Sequence, residues 1–136
     1  MTSEDIARVR FRLQRAEDSL GVVRVLLDQG MWREAASRVY YACFYAVSAL
    51  LLCEGRSRSK HSGVMSLFDE LWIKPGRLPA EVGAFYHLIF DRRQKGDYED
   101  VSTFGRADVE SWLKQGGEFI NQISAALRET IGSDVD

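Results

Sequence analysis

The stretch Ala35–Glu54, AASRVYYACFYAVSALLLCE, constrains the fold most, because no charged side chain interrupts it between Val39 and Cys53. A helix that is apolar on nearly every side needs neighbours on every side. At about 1.5 Å per residue it is roughly 30 Å long, the span of a small domain. The stretch therefore predicts the central helix of an all-α bundle. A membrane-spanning helix is disfavoured, because the uncharged run is shorter than the roughly 20 residues that spanning requires.

Length and composition indicate one ordinary globular domain, residues 1–136 with a core over about 4–131. The net charge of −2 does not favour polyanions, so binding to nucleic acid would need a local basic patch. Cys43 and Cys53 lie on the apolar helix and are interpreted as core residues in a reducing compartment. Because the N-terminus lacks a hydrophobic signal core, a cytoplasmic protein is expected, with no membrane partner.

Apolar periodicity and end signals predict four more helices around the central one. The five predicted helices run from about Glu4 to Gln29, Met31 to Glu54, Lys60 to Lys74, Pro79 to Gly96, and Arg106 to Thr130. Short links favour an up-and-down antiparallel bundle of four long helices and one short helix. Gly116 and Gly117 weaken the last helix but would let it pack closely against the central helix.

Three groups of polar residues interrupt this apolar design. They are the segment Phe90–Asp100, the pair Lys60 and His61, and the hydroxyl edge of Tyr40, Tyr41 and Tyr45. None has the spacing of a metal site, a phosphate loop, a nucleophile elbow or a dinucleotide fingerprint, so no metal and no cofactor is expected.

Each group also has a purely structural interpretation. Arg93 and Asp97 would form an ion pair across a helix end, His61 would be a solvated helix-start residue, and the tyrosines would be core residues. His87 is expected at the surface or an interface. On the first helix Phe11 projects beside several arginines. This face of the helix is either solvated or a surface for self-association.

Three motifs in order resemble the HEPN domain family, in particular its small stand-alone bacterial and archaeal members. They are SRVYYACFYAVSALLL at Ser37–Leu52, KHSGV at Lys60–Val64 with Phe68 following, and RQKGDY at Arg93–Tyr98. The similarity spans about Ala7–Ile131. The resemblance implies an antiparallel helical bundle that is commonly dimeric.

The resemblance also implies a nucleotide or RNA ligand and, for many members, a minimal nucleotidyltransferase partner in a toxin–antitoxin pair. Many members are metal-independent endoribonucleases whose signature is an arginine followed, after four to six residues, by a histidine. Arg93 matches that arginine, but Tyr98, Glu99 and Asp100 stand where the histidine would be. A tyrosine of ordinary pKa, near 10, is a poor base at neutral pH.

Three hypotheses follow. The first is a non-catalytic module, dimeric and paired with a nucleotidyltransferase, that binds a nucleotide or RNA. Its candidate binding residues are Lys60, His61, Arg92, Arg93, Asp97 and Tyr98. The second is a divergent metal-independent endoribonuclease in which Arg93 acts with His61 or Tyr98 as catalytic residues. The third is a structural or protein-interaction bundle. The dimer would use Phe11 and Val22 on the first helix, or the outer faces of the second and fourth helices.

Overall fold

The structure, a computed structural model, describes the backbone of residues 1–98 and 104–132, and the side chains of 1–94 and 104–132. These residues form an all-α bundle of five helices, as predicted. The helices are α1 (Ser3–Asp28), α2 (Trp32–Cys53), α3 (His61–Phe68), α4 (Ala80–Tyr98) and α5 (Arg106–Ile131). A π-helical segment, Asp69–Ile73, continues α3.

The ends of the first two helices follow from local sequence. Thr2 caps α1 in a reciprocal arrangement: its hydroxyl accepts from the Asp5 amide at 3.1 Å, and its own amide donates to the Asp5 carboxylate at 3.0 Å. The Asp5 carboxylate accepts from the Thr2 amide and, at 2.9 Å, from the Thr2 hydroxyl, and these bonds lower the pKa of Asp5. Gly30 and Gly55 follow α1 and α2 with φ angles of +73° and +71°, which glycine adopts at little cost.

Helix α2 lies at the centre, in contact with α1, α3, α4 and α5. Cys43 and Cys53 are buried in it with free thiols, and burial raises the pKa of Cys53 to about 11. By length and composition α2 is long and apolar enough to cross a membrane, but 61% of its most apolar 18-residue window is buried inside the bundle. That burial is typical of a core helix, as the sequence predicted.

Gly116 brings α5 onto α1 and α2. A Cβ at this position would lie 3.2 Å from Leu20 Cδ1 and 3.3 Å from Val39 Cγ1, closer than most real Cβ contacts. At Gly117 the nearest such atom is 3.9 Å away. The predicted close approach to the central helix is therefore confirmed for Gly116.

One predicted helix end is wrong, and one predicted helix departs from α geometry. The expected Lys60–Lys74 helix is present as His61–Ile73, but it widens after Phe68 into the π-helical segment, where the Lys74 amide donates to the Asp69 carbonyl at 2.8 Å. The fourth helix passes through Gly96 to Tyr98, because glycine disfavours a helix by only about 1 kcal/mol and does not by itself end one.

Candidate functional site

Three helices bring members of all three predicted polar groups together at one place. Side chains from α2, the first residue of α3 and the second half of α4 meet there. We call the resulting set the aromatic cluster: Tyr40, Tyr41, Phe44, His61 and Arg93. The rings pack edge to face and stacked, with Tyr40 and Tyr41 centroids 5.3 Å apart and Tyr40 and Phe44 centroids 6.2 Å apart.

His61 is held on two sides, so the interpretation of a freely solvated helix-start residue is wrong. Its Nδ1 lies 2.9 Å from the Tyr40 hydroxyl. Its ring stacks on Phe44 with centroids 4.2 Å apart and planes 26° apart. The imidazole is half-buried.

Arg93 finds neutral partners among the described residues of the cluster. Its Nη2 donates to the Tyr41 hydroxyl at 3.1 Å. Its guanidinium carbon lies 5.4 Å from the Tyr40 ring centroid and 5.3 Å from that of Tyr41, within cation–π range. The described contacts position the guanidinium against a hydroxyl group and two ring faces.

The charge of Arg93 and the packing around it determine the protonation of the neighbouring groups. Burial, and secondly the charge of Arg93, lower the pKa of His61, so its imidazole is neutral at pH 7. Burial raises the pKa of Tyr40 far above its usual value, although Arg93 acts in the opposite direction. Tyr40 thus keeps its proton.

The contact between Tyr40 and His61 allows two tautomers of His61, because a protonated hydroxyl can donate to Nδ1 or accept from an Nδ1–H. We assign the Tyr40 hydroxyl as the donor to Nδ1. The imidazole proton must then lie on Nε2, which faces away from Tyr40. We assign His61 as a neutral Nε2–H donor in the resting site.

The remaining predicted site residues are placed differently. Lys60 is exposed at the N-cap of α3, adjacent to His61. Arg92 is half-buried and pairs with Asp91 at 3.2 Å, without a described contact to the cluster. Asp97 and Tyr98 belong to the last turn of α4, and their side chains lie outside the described residues, as does the predicted Arg93–Asp97 ion pair. His87 is at the surface, bonded to Asp69 at 2.5 Å.

Phe44 was not predicted to be a site residue, and Tyr40 and Tyr41 were named as part of a polar group but not as candidate binding or catalytic residues. One signal for them is present in the sequence. Tyr40, Tyr41, Phe44 and Tyr45 follow i, i+1, i+4, i+5 spacing, which puts four rings along one side of a helix. Nothing in the sequence shows that His61 packs on that side.

The described residues include no group of three or more His, Cys, Asp or Glu side chains arranged to hold a metal ion. Among the described residues, the cationic side chains near the cluster include Arg93, Lys60 and Arg38, whose guanidinium carbon lies 5.0 Å from the Tyr41 ring centroid. The site can therefore offer cationic groups, a neutral imidazole donor and ring faces, a set suited to phosphate and base recognition.

Comparison with known proteins gives a consistent family. The sequence model described as "HEPN domain" matches residues 9–126. A UPF0332 protein of Thermotoga maritima is 36% identical over 121 residues, covering 89% of this chain and 92% of that protein. Two Methanocaldococcus jannaschii proteins are each named a presumed toxin. The first is 33% identical over 85% of this chain and 78% of its own length. The second is 29% identical over 88% of this chain and 88% of its own length.

Proposed function

We propose that this chain, which belongs to the HEPN domain family, is a toxin-like module that binds RNA or a nucleotide at the aromatic cluster. The observation that carries the proposal is the convergence of Arg93 and His61. These residues are far apart in the sequence and come from different helices, yet both are bonded to neighbouring tyrosines of α2. The names of the Methanocaldococcus jannaschii relatives support the toxin-like role.

In this proposal each group recognises a part of a nucleotide. The planar guanidinium of Arg93 binds phosphate oxygens, and the Nε2–H of His61 donates to the same phosphate. Lys60 adds a second charge at the start of α3. The half-buried rings of Tyr41 and Phe44 provide the stacking surface for a base. Arg92, Asp97 and Tyr98 remain candidate binding residues for the part of the ligand that lies farther from Arg93 and His61.

A second function, a metal-independent endoribonuclease, is favoured by the position of His61. Such cleavage needs a base for the 2′-hydroxyl, an acid for the leaving oxygen and positive charge on the pentacovalent transition state. Arg93 supplies charge, and His61, as a neutral imidazole, is a base rather than an acid. The described part of the site offers no acid, so catalysis would require Tyr98 or a group from a second copy.

The family suggests partners. A toxin-like module needs a neutralising partner, and we propose a minimal nucleotidyltransferase in this role. We also propose a homodimer, which would bring two aromatic clusters into one assembly. The remaining alternative is a structural bundle, in which Arg93 and His61 serve only packing.

The test uses purified full-length protein with labelled single-stranded RNA and transfer RNA in excess chelator. Binding and cleavage are measured for the wild type, Arg93→Ala and Arg93→Lys. We expect Arg93→Ala to weaken binding at least about tenfold, since a charge-assisted hydrogen bond contributes about 1.5 kcal/mol or more. Arg93→Lys should recover only part of this, because an ammonium keeps the charge but not the planar fork.

A matched control is Arg24→Ala, which removes an exposed arginine of α1 that pairs with Glu110 at 3.6 Å, away from the cluster. Equal binding by the wild type, Arg93→Ala and Arg24→Ala would contradict the proposal and favour the structural bundle. Cleavage that is lost in Arg93→Ala would establish the endoribonuclease.

A further inference from the structure

A groove of about 630 Å³ lies beside the aromatic cluster, between α1, α2 and the link that follows α2. Five arginines line it: Arg8, Arg12 and Arg15 from α1, and Arg56 and Arg58 from the link. Glu4 is the single acidic residue in the lining. We call this feature the arginine groove. Its charge contrasts with the chain's net charge of −2, so the positive residues are concentrated locally.

The arginines are incompletely neutralised by the protein itself. Arg8 pairs with Glu4 at 3.2 Å, and both side chains are more than half exposed, so the bridge is weak. Arg12 donates to the Ser48 carbonyl at 3.3 Å, and burial together with the charge of Arg8 lowers its pKa. Arg58 bonds only to the adjacent Ser57 carbonyl, at 2.8 Å, among described residues. An anion in the groove would relieve this crowding of like charges.

Aromatic rings alternate with these charges. The Phe11 side chain is 63% exposed at the groove, although a ring of that size is normally buried. Arg15 lies over the Tyr45 ring at 4.5 Å and donates to its hydroxyl at 2.9 Å. Rings interleaved with arginines are the pattern of proteins that bind single strands, where bases stack and phosphates meet guanidinium groups.

The groove and the aromatic cluster are continuous through one residue. Phe44 lines the groove and also stacks on His61 with centroids 4.2 Å apart. A chain of nucleotides with one phosphate at Arg93 and His61 would reach the groove by passing Phe44. A lone mononucleotide would leave one of the two features empty.

We propose that the arginine groove binds the nucleotides adjacent to the one held at the aromatic cluster, so that the ligand is single-stranded RNA several nucleotides long. This inference rests on the proposed function. The exposed rings favour RNA over an acidic protein segment, which would use the charges and leave Phe11 unexplained. A second copy of this chain is disfavoured in the groove, because a two-fold contact would oppose identical positive surfaces.

The experiment measures binding of a mononucleotide, a trinucleotide and an octanucleotide by fluorescence anisotropy. The oligomers carry 2′-fluoro groups so that they stay intact. The test variant is Arg56→Ala with Arg58→Ala, two exposed link residues whose loss should not affect the core. The control, Arg24→Ala with Lys114→Ala, removes two exposed charges outside the groove lining. A third variant, Phe11→Ser, removes the exposed ring.

For the wild type and the control we expect affinity to rise with length. In the link variant this gain should shrink, and the slope of log affinity against log salt should fall by about 1.4, since each phosphate contact on a single strand contributes about 0.7. Phe11→Ser should weaken octanucleotide binding at least about fivefold with little change in the salt slope.

The outcomes separate this inference from the proposed function. If Arg93→Ala weakens binding at every length while the link variant and Phe11→Ser match the control, the groove proposal is overturned and the proposed function stands. If Arg93→Ala has no effect either, both fail. Polyglutamate of the same total charge serves as a competitor for the octanucleotide. If it displaces the octanucleotide equally well from the wild type and from Phe11→Ser, the ligand of the groove is an acidic protein segment and the RNA proposal is overturned.

Discussion

His61 links the site to pH through the direction of its pKa shift. The folded-state pKa lies below the unfolded value of about 6.5, because burial and Arg93 disfavour the imidazolium. Between these two values the unfolded chain binds more protons than the folded chain. The free energy of unfolding must therefore fall as the pH falls through that window, and His61 contributes no pH dependence above about pH 7.

The first prediction follows from that sign. His61→Gln removes the imidazole and with it the imidazole's share of the stability loss in acid. The free energy of unfolding should therefore depend less on pH between pH 5 and 7 than it does in the wild type. His87→Gln is the matched control, because His87 is the only other histidine and lies outside the cluster. Urea unfolding at several pH values measures this. A steeper curve in His61→Gln would contradict the direction of the shift.

The second prediction concerns the tautomer of His61. With Nδ1 accepting from Tyr40, the ¹⁵N shifts of the imidazole at pH 8 should report hydrogen on Nε2. Tyr40→Phe keeps the ring but removes the donor, so the two tautomers should become mixed, and stability should fall by about 1 kcal/mol for the lost hydrogen bond. Tyr45→Phe is a control that removes a hydroxyl bonded to Arg15 instead. Hydrogen on Nδ1 in the wild type would exclude Tyr40 as the donor.

Elements differ in how far their sequence determines them. The lengths of α1, α2 and α5 follow from apolar periodicity, caps and glycines, all local signals. The π-helical segment has no such signal, because its extra residue per turn is stabilised by packing rather than by propensity. The site also combines local and tertiary determinants. Arg93 was identified from a sequence motif, whereas the stacking of His61 on Phe44 depends on how α3 packs against α2, which is a tertiary contact.

The third prediction tests the packing of the π-helical segment. A Cβ at Gly83 would lie 3.0 Å from both Ile73 Cγ1 and Cγ2. Gly83→Ala should therefore destabilise the fold by about 1 kcal/mol net, because overpacking outweighs the gain in helix propensity. Beyond its chain neighbours and its own helix backbone, no described atom would lie within 4 Å of a Cβ at Gly21, and Gly21→Ala should stabilise by up to about 1 kcal/mol. Urea unfolding compares the two. Equal stabilisation in both variants would mean that Ile73 moves aside freely.

At the scale of the whole molecule, the fold could be predicted and the surface could not. A helix with no charged residue between Val39 and Cys53 requires neighbouring helices on every side, and this requirement predicts the bundle. The arginine groove, by contrast, joins α1 to a link about 40 residues later, and in the sequence Arg56 and Arg58 are typical of an ordinary surface loop. Its lining depends on the pairing of α1 with α2, which periodicity does not specify.

The last prediction concerns the homodimer. Phe11, Val22 and Val25 are exposed on α1 by 63%, 42% and 60%. At about 100° per residue they point within roughly 60° of one another, which makes one apolar row. At about 1.5 Å per residue, Val22 and Val25 lie roughly 16 Å and 21 Å along the helix from Phe11, so two copies pairing through these valines would leave the arginine groove open.

We therefore expect sedimentation equilibrium at micromolar concentrations to give twice the chain mass of 15.5 kDa. Val25→Glu should give the monomer, because a two-fold contact would place two carboxylates against each other. Met31→Glu, which adds the same charge at an exposed position after α1, should remain dimeric. A monomeric wild type, or a dimer that persists in Val25→Glu with an unchanged dissociation constant, would exclude this face. The second result would direct attention to the outer faces of α2 and α4, where a contact would bring two aromatic clusters together.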